Sequence, residues 1–234
     1  MIIKTFVAGP LETNCYLIFF KKHGEALILD PAVKIQEFDR IIRFIISLDL
    51  KVKYIINTHG HFDHIMGNRI VKDGTGAKIL IHRDDSDMLT NPEKNLSKMI
   101  GLTVTSPKAD MLLEDDEIIR VDQEKIRVIH TPGHTRGSIS IFTKGSIFTG
   151  DTLFAGSVGR TDLPGASLRN LAFSLRKLMN LPKNTRIYPG HGPSSSIASE
   201  KKSNFYIKAL LHGADKFLRP TKVSSLNNEE ENSA

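Results

Sequence analysis

The stretch His59-Gly60-His61-Phe62-Asp63-His64 places three imidazoles and a carboxylate within six residues. It follows residues 52–56, whose apolar and β-branched side chains predict a buried strand. Ligands on a loop just past a strand are held by a rigid element, which suits a reactive site. These side chains cannot all point at one ion, so we divide them between two metals: His59 and His61 on one, Asp63 and His64 on the other. Nitrogen and oxygen ligands of this kind suit zinc, manganese or iron.

Three later segments repeat this strand-then-ligand pattern. Each has a short apolar run followed by a ligand residue beside glycine or within a turn: His134 after residues 126–129, Asp151 after 146–148, and His191 after 186–187. The pattern predicts that several strand ends converge on one cleft. A single motif of this kind also arises by chance or from ordinary turn chemistry, so the prediction depends on all four motifs occurring together in this order.

These motifs resemble the metallo-β-lactamase superfamily, and in particular its glyoxalase II-like hydrolases. The signature of that superfamily is His-x-His-x-Asp-His, then a His, a bridging Asp and a final His. The resemblance covers about residues 2–206, and the segment Gly-Arg-Thr-Asp-Leu-Pro-Gly at 159–165 resembles short members that lack a helical C-terminal domain. It implies seven ligands divided between two metals: His59, His61 and His134 on the first, Asp63, His64 and His191 on the second, and Asp151 bridging both.

A layered α/β architecture is expected because strand and helix patterns occur in both halves of the chain. The four-layer αββα metallo-β-lactamase sandwich is implied by the resemblance. Strands are predicted at 2–7, 13–20, 26–29, 52–56, 79–81, 118–121, 125–129, 138–142, 146–149 and 186–188. Helices are predicted at 35–48, from 63 or 64 to 70, at 84–89, 168–179 and 199–218, with a long loop at 91–110. We expect one hydrolase domain over 1–222 and a disordered, polar and acidic tail over 223–234.

Composition predicts an ordinary globular protein. The chain has 234 residues, of which 40% are hydrophobic and 25% charged, and no apolar run approaches the ~20 residues of a membrane span. One cysteine cannot form an internal disulfide, and the N-terminus lacks a signal-peptide pattern, so we expect a cytoplasmic protein with no membrane partner. The net charge of +6 fits an anionic substrate, nucleic acid or simple solubility. No nucleic-acid-binding motif accompanies it, so we expect no nucleic-acid partner. The sequence indicates no oligomeric state.

The resemblance implies a dinuclear hydrolase that cleaves a small anionic thioester, such as S-lactoylglutathione, with a metal-bridging hydroxide. Two divalent metal ions are expected, with zinc favoured and iron or manganese also compatible. Asp63 and Asp151 are the carboxylates to which we assign a catalytic role. Three alternatives stay open: a mononuclear iron persulfide dioxygenase, which shares the Gly-Arg-Thr-Asp segment; a lactonase or nuclease of the same superfamily; and, last, a metal-binding protein without activity.

Arg160 is the candidate substrate-binding residue. By resemblance it occupies the place of a glutathione-binding lysine, nine residues after Asp151, where a cation could bind a carboxylate. The alternative is a structural ion pair with Asp162. Asp162 and Pro193 replace two tyrosines of the longer glyoxalase II enzymes, which leaves glutathione recognition open. Asp30 is a candidate partner for a ligand histidine or, equally, a turn cap.

Overall fold

Two six-stranded β-sheets face each other in the computed structural model, which describes residues 1–211. The first sheet contains, in spatial order, β1 (Ile2–Ala8), β2 (Thr13–Phe19), β3 (Glu25–Leu29), β4 (Lys51–Ile56), β5 (Lys78–His82) and β6 (Met111–Leu113). Strands β1 to β3 pair antiparallel, whereas β3 to β6 pair parallel. Strand β6 is missing from the sequence prediction because it is only three residues long and lies between the acidic residues Asp110 and Glu114.

The second sheet has the spatial order β14 (Ser195–Ser196), β13 (Arg186–Pro189), β10 (Ser146–Gly150), β9 (Ile139–Thr143), β8 (Glu124–His130) and β7 (Ile118–Val121). A separate hairpin joins β11 (Leu153–Phe154) to β12 (Ser157–Val158). The helices are α1 (Ile35–Ser47), α2 (Phe62–Ile65), α3 (Asn68–Thr75), α4 (Leu168–Met179), α5 (Ile197–Ser203) and α6 (Phe205–Leu211), with two 3-10 turns at Arg83–Leu89 and Ser97–Ile100. Within residues 1–211, none of these helices has the length and apolar composition that a membrane crossing requires.

Alternate residues of a strand belong to different apolar layers. In β2, Leu17 and Phe19 pack in the layer that contains Ile41 of α1, whereas Ile18 lies between the two sheets with Val128 of β8. A third layer packs α4 against the outer face of the second sheet. The central strands are therefore buried on both faces, which is why they read as continuous apolar runs. This is the predicted four-layer αββα sandwich.

The helix predicted at 84–89 is a 3-10 helix over Arg83–Leu89, and two other predicted helices are divided in the structure. The helix expected from 63 or 64 to 70 is interrupted at Gly67, so α2 and α3 are separate. The amide of Gly67 donates to the carbonyl of Pro31 at 2.7 Å, and a Cβ at this position would lie 2.2 Å from the same oxygen. The helix expected over 199–218 is divided by the extended backbone of Asn204 into α5 and α6. Its remainder, and the predicted tail over 223–234, lie outside the described residues.

A buried carboxylate ties together two of the loops that follow strands. Asp85, in the first 3-10 turn, accepts hydrogen bonds from the amide of Gly60 at 3.1 Å, the hydroxyl of Thr135 at 2.6 Å and the amide of Gly137 at 2.7 Å. Gly60 belongs to the loop after β4, and the other two belong to the loop after β8. Burial raises the pKa of Asp85, and these hydrogen bonds oppose the rise. The carboxylate thus fixes the distance between the two loops.

Replacing Asp85 by Asn should lower the free energy of unfolding by roughly 1–3 kcal/mol, because the amide NH₂ would face a buried N–H donor and leave it unpaired. Chemical denaturation in excess chelator measures this effect without a contribution from metal. Asp87→Asn is the matched control, since the Asp87 side chain is 56% exposed, and it should change stability by less than about 0.5 kcal/mol. Equal losses in both variants would contradict the role of Asp85 as a tie between loops.

Candidate metal centre

Four strand ends meet at one edge of the sandwich. Strands β10 and β13 are parallel, and β8 and β10 are both antiparallel to β9, so β8, β10 and β13 run in one direction. The loops that follow these three strands carry His134, Asp151 and His191. The loop after β4 and the short helix α2 bring the remaining four residues from the first sheet. The structure therefore brings together all seven predicted ligands, as the strand-then-ligand pattern predicts.

Three imidazoles form the first group of the cluster. The Nε2 atom of His59 lies 3.1 Å from Nδ1 of His61, which lies 2.9 Å from Nε2 of His134. All three side chains are buried. Three ring nitrogens therefore converge on one small volume.

The second group contains a carboxylate and two imidazoles. Oδ2 of Asp63 lies 3.4 Å from Nε2 of His64 and 3.2 Å from Nε2 of His191, and the two Nε2 atoms are 3.3 Å apart. Thr13 donates its hydroxyl to the same Oδ2 at 3.2 Å. These contacts fix the orientation of the Asp63 carboxylate.

Asp151 lies between the two groups. Its Oδ2 is 3.6 Å from Nε2 of His134 in the first group and 3.6 Å from Nε2 of His191 in the second. Its Oδ1 is buried and makes no hydrogen bond of good geometry, with Nε2 of His64 at 3.4 Å. The position is that of a carboxylate that can contact an ion in either group.

The far ring nitrogens of the histidines are held by fixed partners. The carbonyls of Arg160 and Leu11 lie 3.0 Å from Nδ1 of His134 and of His191, respectively. Because a carbonyl only accepts, each Nδ1 carries a proton and donates it, which leaves Nε2 directed toward the cluster. The hydroxyl of Thr58 lies 3.2 Å from Nδ1 of His59. Such partners fix the tautomer and orientation that a metal ligand needs.

Asp30 lies beside His64, with Oδ2 at 3.0 Å from Nδ1 of the ring. The same carboxylate accepts from the amide and the hydroxyl of Thr58, both at 2.7 Å. Of the two roles expected from the sequence, the side chain therefore makes the contact to a ligand histidine. Thr58 is a further member of the cluster that the sequence analysis missed, although its position next to His59 was a signal.

The charges of the cluster favour a cation. Burial and neighbouring imidazoles hold the pKa of His59 well below its usual value, and burial lowers the pKa of His61 to about 3. Burial alone would lower the pKa of His64, but nearby carboxylates, Asp63 first, outweigh it and raise that pKa well above its usual value. Burial would raise the pKa of Asp63 and of Asp151, but the imidazoles outweigh it and lower both.

The residues fit a pair of divalent metal ions. Lone pairs of imidazole nitrogen and carboxylate oxygen converge in a buried volume, which is the donor set of divalent transition metals. Gly190 leaves room for these side chains, because a Cβ at this position would lie 2.2 Å from Oδ1 of Asp151 and 2.8 Å from Cε1 of His64. The residues that would hold the metals are those of the two groups, together with Asp151.

A cavity of about 480 Å³ opens onto the cluster. Arg160 lines its wall, and its guanidinium makes a two-point ion pair with Asp162, with Nε–Oδ1 at 2.9 Å and Nη2–Oδ2 at 2.8 Å. The guanidinium lowers the pKa of Asp162 to about 2. Arg160 thus lines the cavity and, at the same time, forms the ion pair of the alternative interpretation.

Comparisons with known proteins agree with this geometry. The family model of the metallo-beta-lactamase superfamily matches residues 8–191. The hydroxyacylglutathione hydrolase GloC of Haemophilus influenzae is 33% identical over 218 residues, covering 89% of this chain and 99% of that protein. The crystal structure of BLEG-1 B3 metallo-beta-lactamase has a TM-score of 0.82 at 32% identity, covering 88% of this chain and 99% of the other. That of TTHA1623, in a di-iron-bound form, has a TM-score of 0.75 at 30% identity, covering 88% and 100%.

The family match spans more than half of the chain, and the relatives align over nearly their whole length. The chain therefore belongs to the metallo-β-lactamase superfamily, and its predicted resemblance to the glyoxalase II-like hydrolases is confirmed.

Proposed function

We propose that this protein is a dinuclear metal-dependent hydrolase that cleaves a small thioester. The observation that carries the proposal is the composition of the cavity wall. Among the described residues, its lining side chains are ligands of the cluster, apolar groups and Arg160, and none of these is free to protonate a leaving group near neutral pH. A thiolate leaves without a proton, since the pKa of a thiol is only about 8.5, whereas an amide nitrogen needs a general acid.

The ligand assignment is part of this proposal. His59, His61 and His134 would hold one ion, Asp63, His64 and His191 would hold the other, and Asp151 would contact both. When bound, two such ions would lower the pKa of a bound water toward neutrality and polarise a carbonyl oxygen. The chain contributes two carboxylates that balance part of the metal charge, and carbonyls that keep His134 and His191 turned toward the cluster.

Zinc is the proposed metal, because it binds nitrogen and oxygen ligands together and needs no redox partner. Iron and manganese accept the same donors, and the di-iron form of the related TTHA1623 supports two metals in this fold. The name of GloC, a hydroxyacylglutathione hydrolase, supports a thioester with an anionic thiol portion. A cytoplasmic location stays a prediction.

A thiol-release assay tests the reaction. Zinc-loaded protein is incubated with S-lactoylglutathione and with neutral acyl thioesters, and in parallel with a chromogenic β-lactam, an acyl homoserine lactone and single-stranded RNA. We expect thiol release that disappears with chelator and returns with zinc. Opening of the β-lactam or lactone, or cleavage of the RNA, without thiol release would contradict thioester hydrolysis. So would oxygen uptake from a persulfide by an iron-loaded protein that releases no thiol.

Replacing Asp151 by Asn keeps the size of the side chain but weakens the negative charge between the two groups of ligands. We expect reduced metal content and a loss of turnover of at least ~10²-fold. Metal analysis and the thiol-release assay measure the two effects. Asp49→Asn, at a side chain that is 84% exposed, is the matched control and should keep both. Near-normal turnover with full metal content in Asp151→Asn would remove this residue from the bridging role.

Replacing Arg160 by Ala separates substrate binding from a structural ion pair. If the guanidinium binds a substrate carboxylate, kcat/KM for anionic thioesters should fall roughly ten- to hundredfold, with little change for neutral ones. Asp162→Asn is the companion variant: it frees the guanidinium, so kcat/KM for anionic thioesters should be kept or raised. Equal losses for anionic and neutral substrates, together with a lowered Tm, would assign Arg160 to the structural pair.

A further inference from the structure

The cavity beside the metal centre has two apolar walls. Leu96, Met99 and Ile100 come from the segment around the second 3-10 turn, and Phe154, Val158 and Leu163 come from the β11–β12 hairpin and the loop after it. The ring of Phe154 lies 6.2 Å from that of His191, centroid to centroid. The apolar surface therefore begins at the ligands themselves. The volume of about 480 Å³ lies within the ~300–1,000 Å³ of typical small-molecule sites.

One of these walls is built on a buried polar residue. Asn95 donates to the carbonyls of Met88 at 3.0 Å and Val104 at 2.9 Å, and its Oδ1 accepts from the amide of Ser97 at 3.0 Å. Its own carbonyl accepts from the amide of Phe62, the first residue of α2, at 3.0 Å. The segment is thus anchored to the helix that carries Asp63 and His64, and its apolar side chains keep a fixed position relative to them.

Two large apolar side chains at the mouth of the cavity are exposed to water, which is energetically unfavourable. Met99 is 67% exposed and Ile100 is 53% exposed, although both line the cavity. Exposed apolar surface that is continuous with a reactive pocket indicates a binding site for an apolar group. Among the lining residues that the structure describes, Arg160 is the one charged residue besides the proposed ligands, and it already has Asp162 as its partner. The walls therefore suit a hydrocarbon group of a ligand. Apart from the proposed metal ligands, Arg160 is the lining residue that could bind a charged group of that ligand.

We propose that the acyl group of the substrate is a hydrocarbon chain, which lies between the two apolar walls, rather than a short hydroxyacyl group. The identification of the hydrocarbon chain as an acyl group rests on the proposed thioester hydrolysis. The apolar binding site does not depend on it. A hydroxyl placed against these walls would lose its hydrogen bonds to water without gaining others. Each methylene that enters the cavity should instead strengthen binding by about fourfold.

Calorimetric titration of the zinc-loaded protein with carboxylates tests the site without catalysis. Acetate, butyrate and hexanoate correspond to the acid products of acyl thioesters, and lactate is the hydroxyacid comparison. We expect Kd to fall by about fourfold for each added methylene and lactate to bind more weakly than butyrate. A Kd that does not change along the series would overturn the apolar site.

Two variants locate the wall. Ile100→Asn and Met99→Gln should flatten the dependence of Kd on chain length and leave acetate binding unchanged. Because both side chains are more than half exposed, the substitutions should have little effect on folding. Met111→Gln, at an exposed methionine of β6 outside the cavity lining, is the matched control and should keep the full dependence. An unchanged dependence in Ile100→Asn and Met99→Gln would overturn the proposed wall.

Acetyl, butyryl and hexanoyl thioesters of one neutral thiol distinguish this inference from the proposed reaction. We expect kcat/KM to rise with chain length as Kd falls. Tighter carboxylate binding with chain length but no thiol release would refute thioester hydrolysis and leave the apolar site standing. Thiol release at equal kcat/KM for all three chains, together with a constant Kd, would refute the apolar site and leave hydrolysis standing.

Discussion

Two carboxylates and five imidazoles lie in van der Waals contact at the ends of buried strands, and positive charge among them is what makes that arrangement favourable. The pKa changes have the directions expected when positive and negative groups stabilise each other. The carboxylates raise the pKa of His64, and the imidazoles lower the pKa values of Asp63 and Asp151. A buried cluster of this kind is costly unless its charges are paired. The fold around it consists largely of elements that keep those seven side chains in place.

The same loops that carry the proposed ligands also form the walls of the cavity. The carbonyl of Leu11 fixes His191 and the carbonyl of Arg160 fixes His134, while the side chains of both residues line the cavity. On the other side, Asn95 joins the apolar segment to the helix that carries Asp63. The orientation of the proposed ligands is therefore linked to the cavity wall, so a change in the wall can reach the cluster through a single hydrogen bond.

The parts of the fold that the sequence predicts are those with local signals. Buried strands read as apolar runs, and a ligand after a strand end lies in the same short segment, so residues such as His134 and His191 could be located directly. Their division between two ions came from the resemblance. The remaining features depend on contacts distant in sequence: the break at Gly67 is set by the carbonyl of Pro31, and nothing local identifies Asp85, rather than Asp84 or Asp87, as the buried carboxylate.

The central claim is that these seven residues hold two metal ions. Anomalous diffraction from crystals of the zinc-loaded protein, measured on both sides of the zinc absorption edge, tests it most directly. We expect two peaks, one among His59, His61 and His134 and one among Asp63, His64 and His191, with Asp151 in contact with both. A single peak in fully loaded protein, with Asp63 and His191 free of metal, would contradict it.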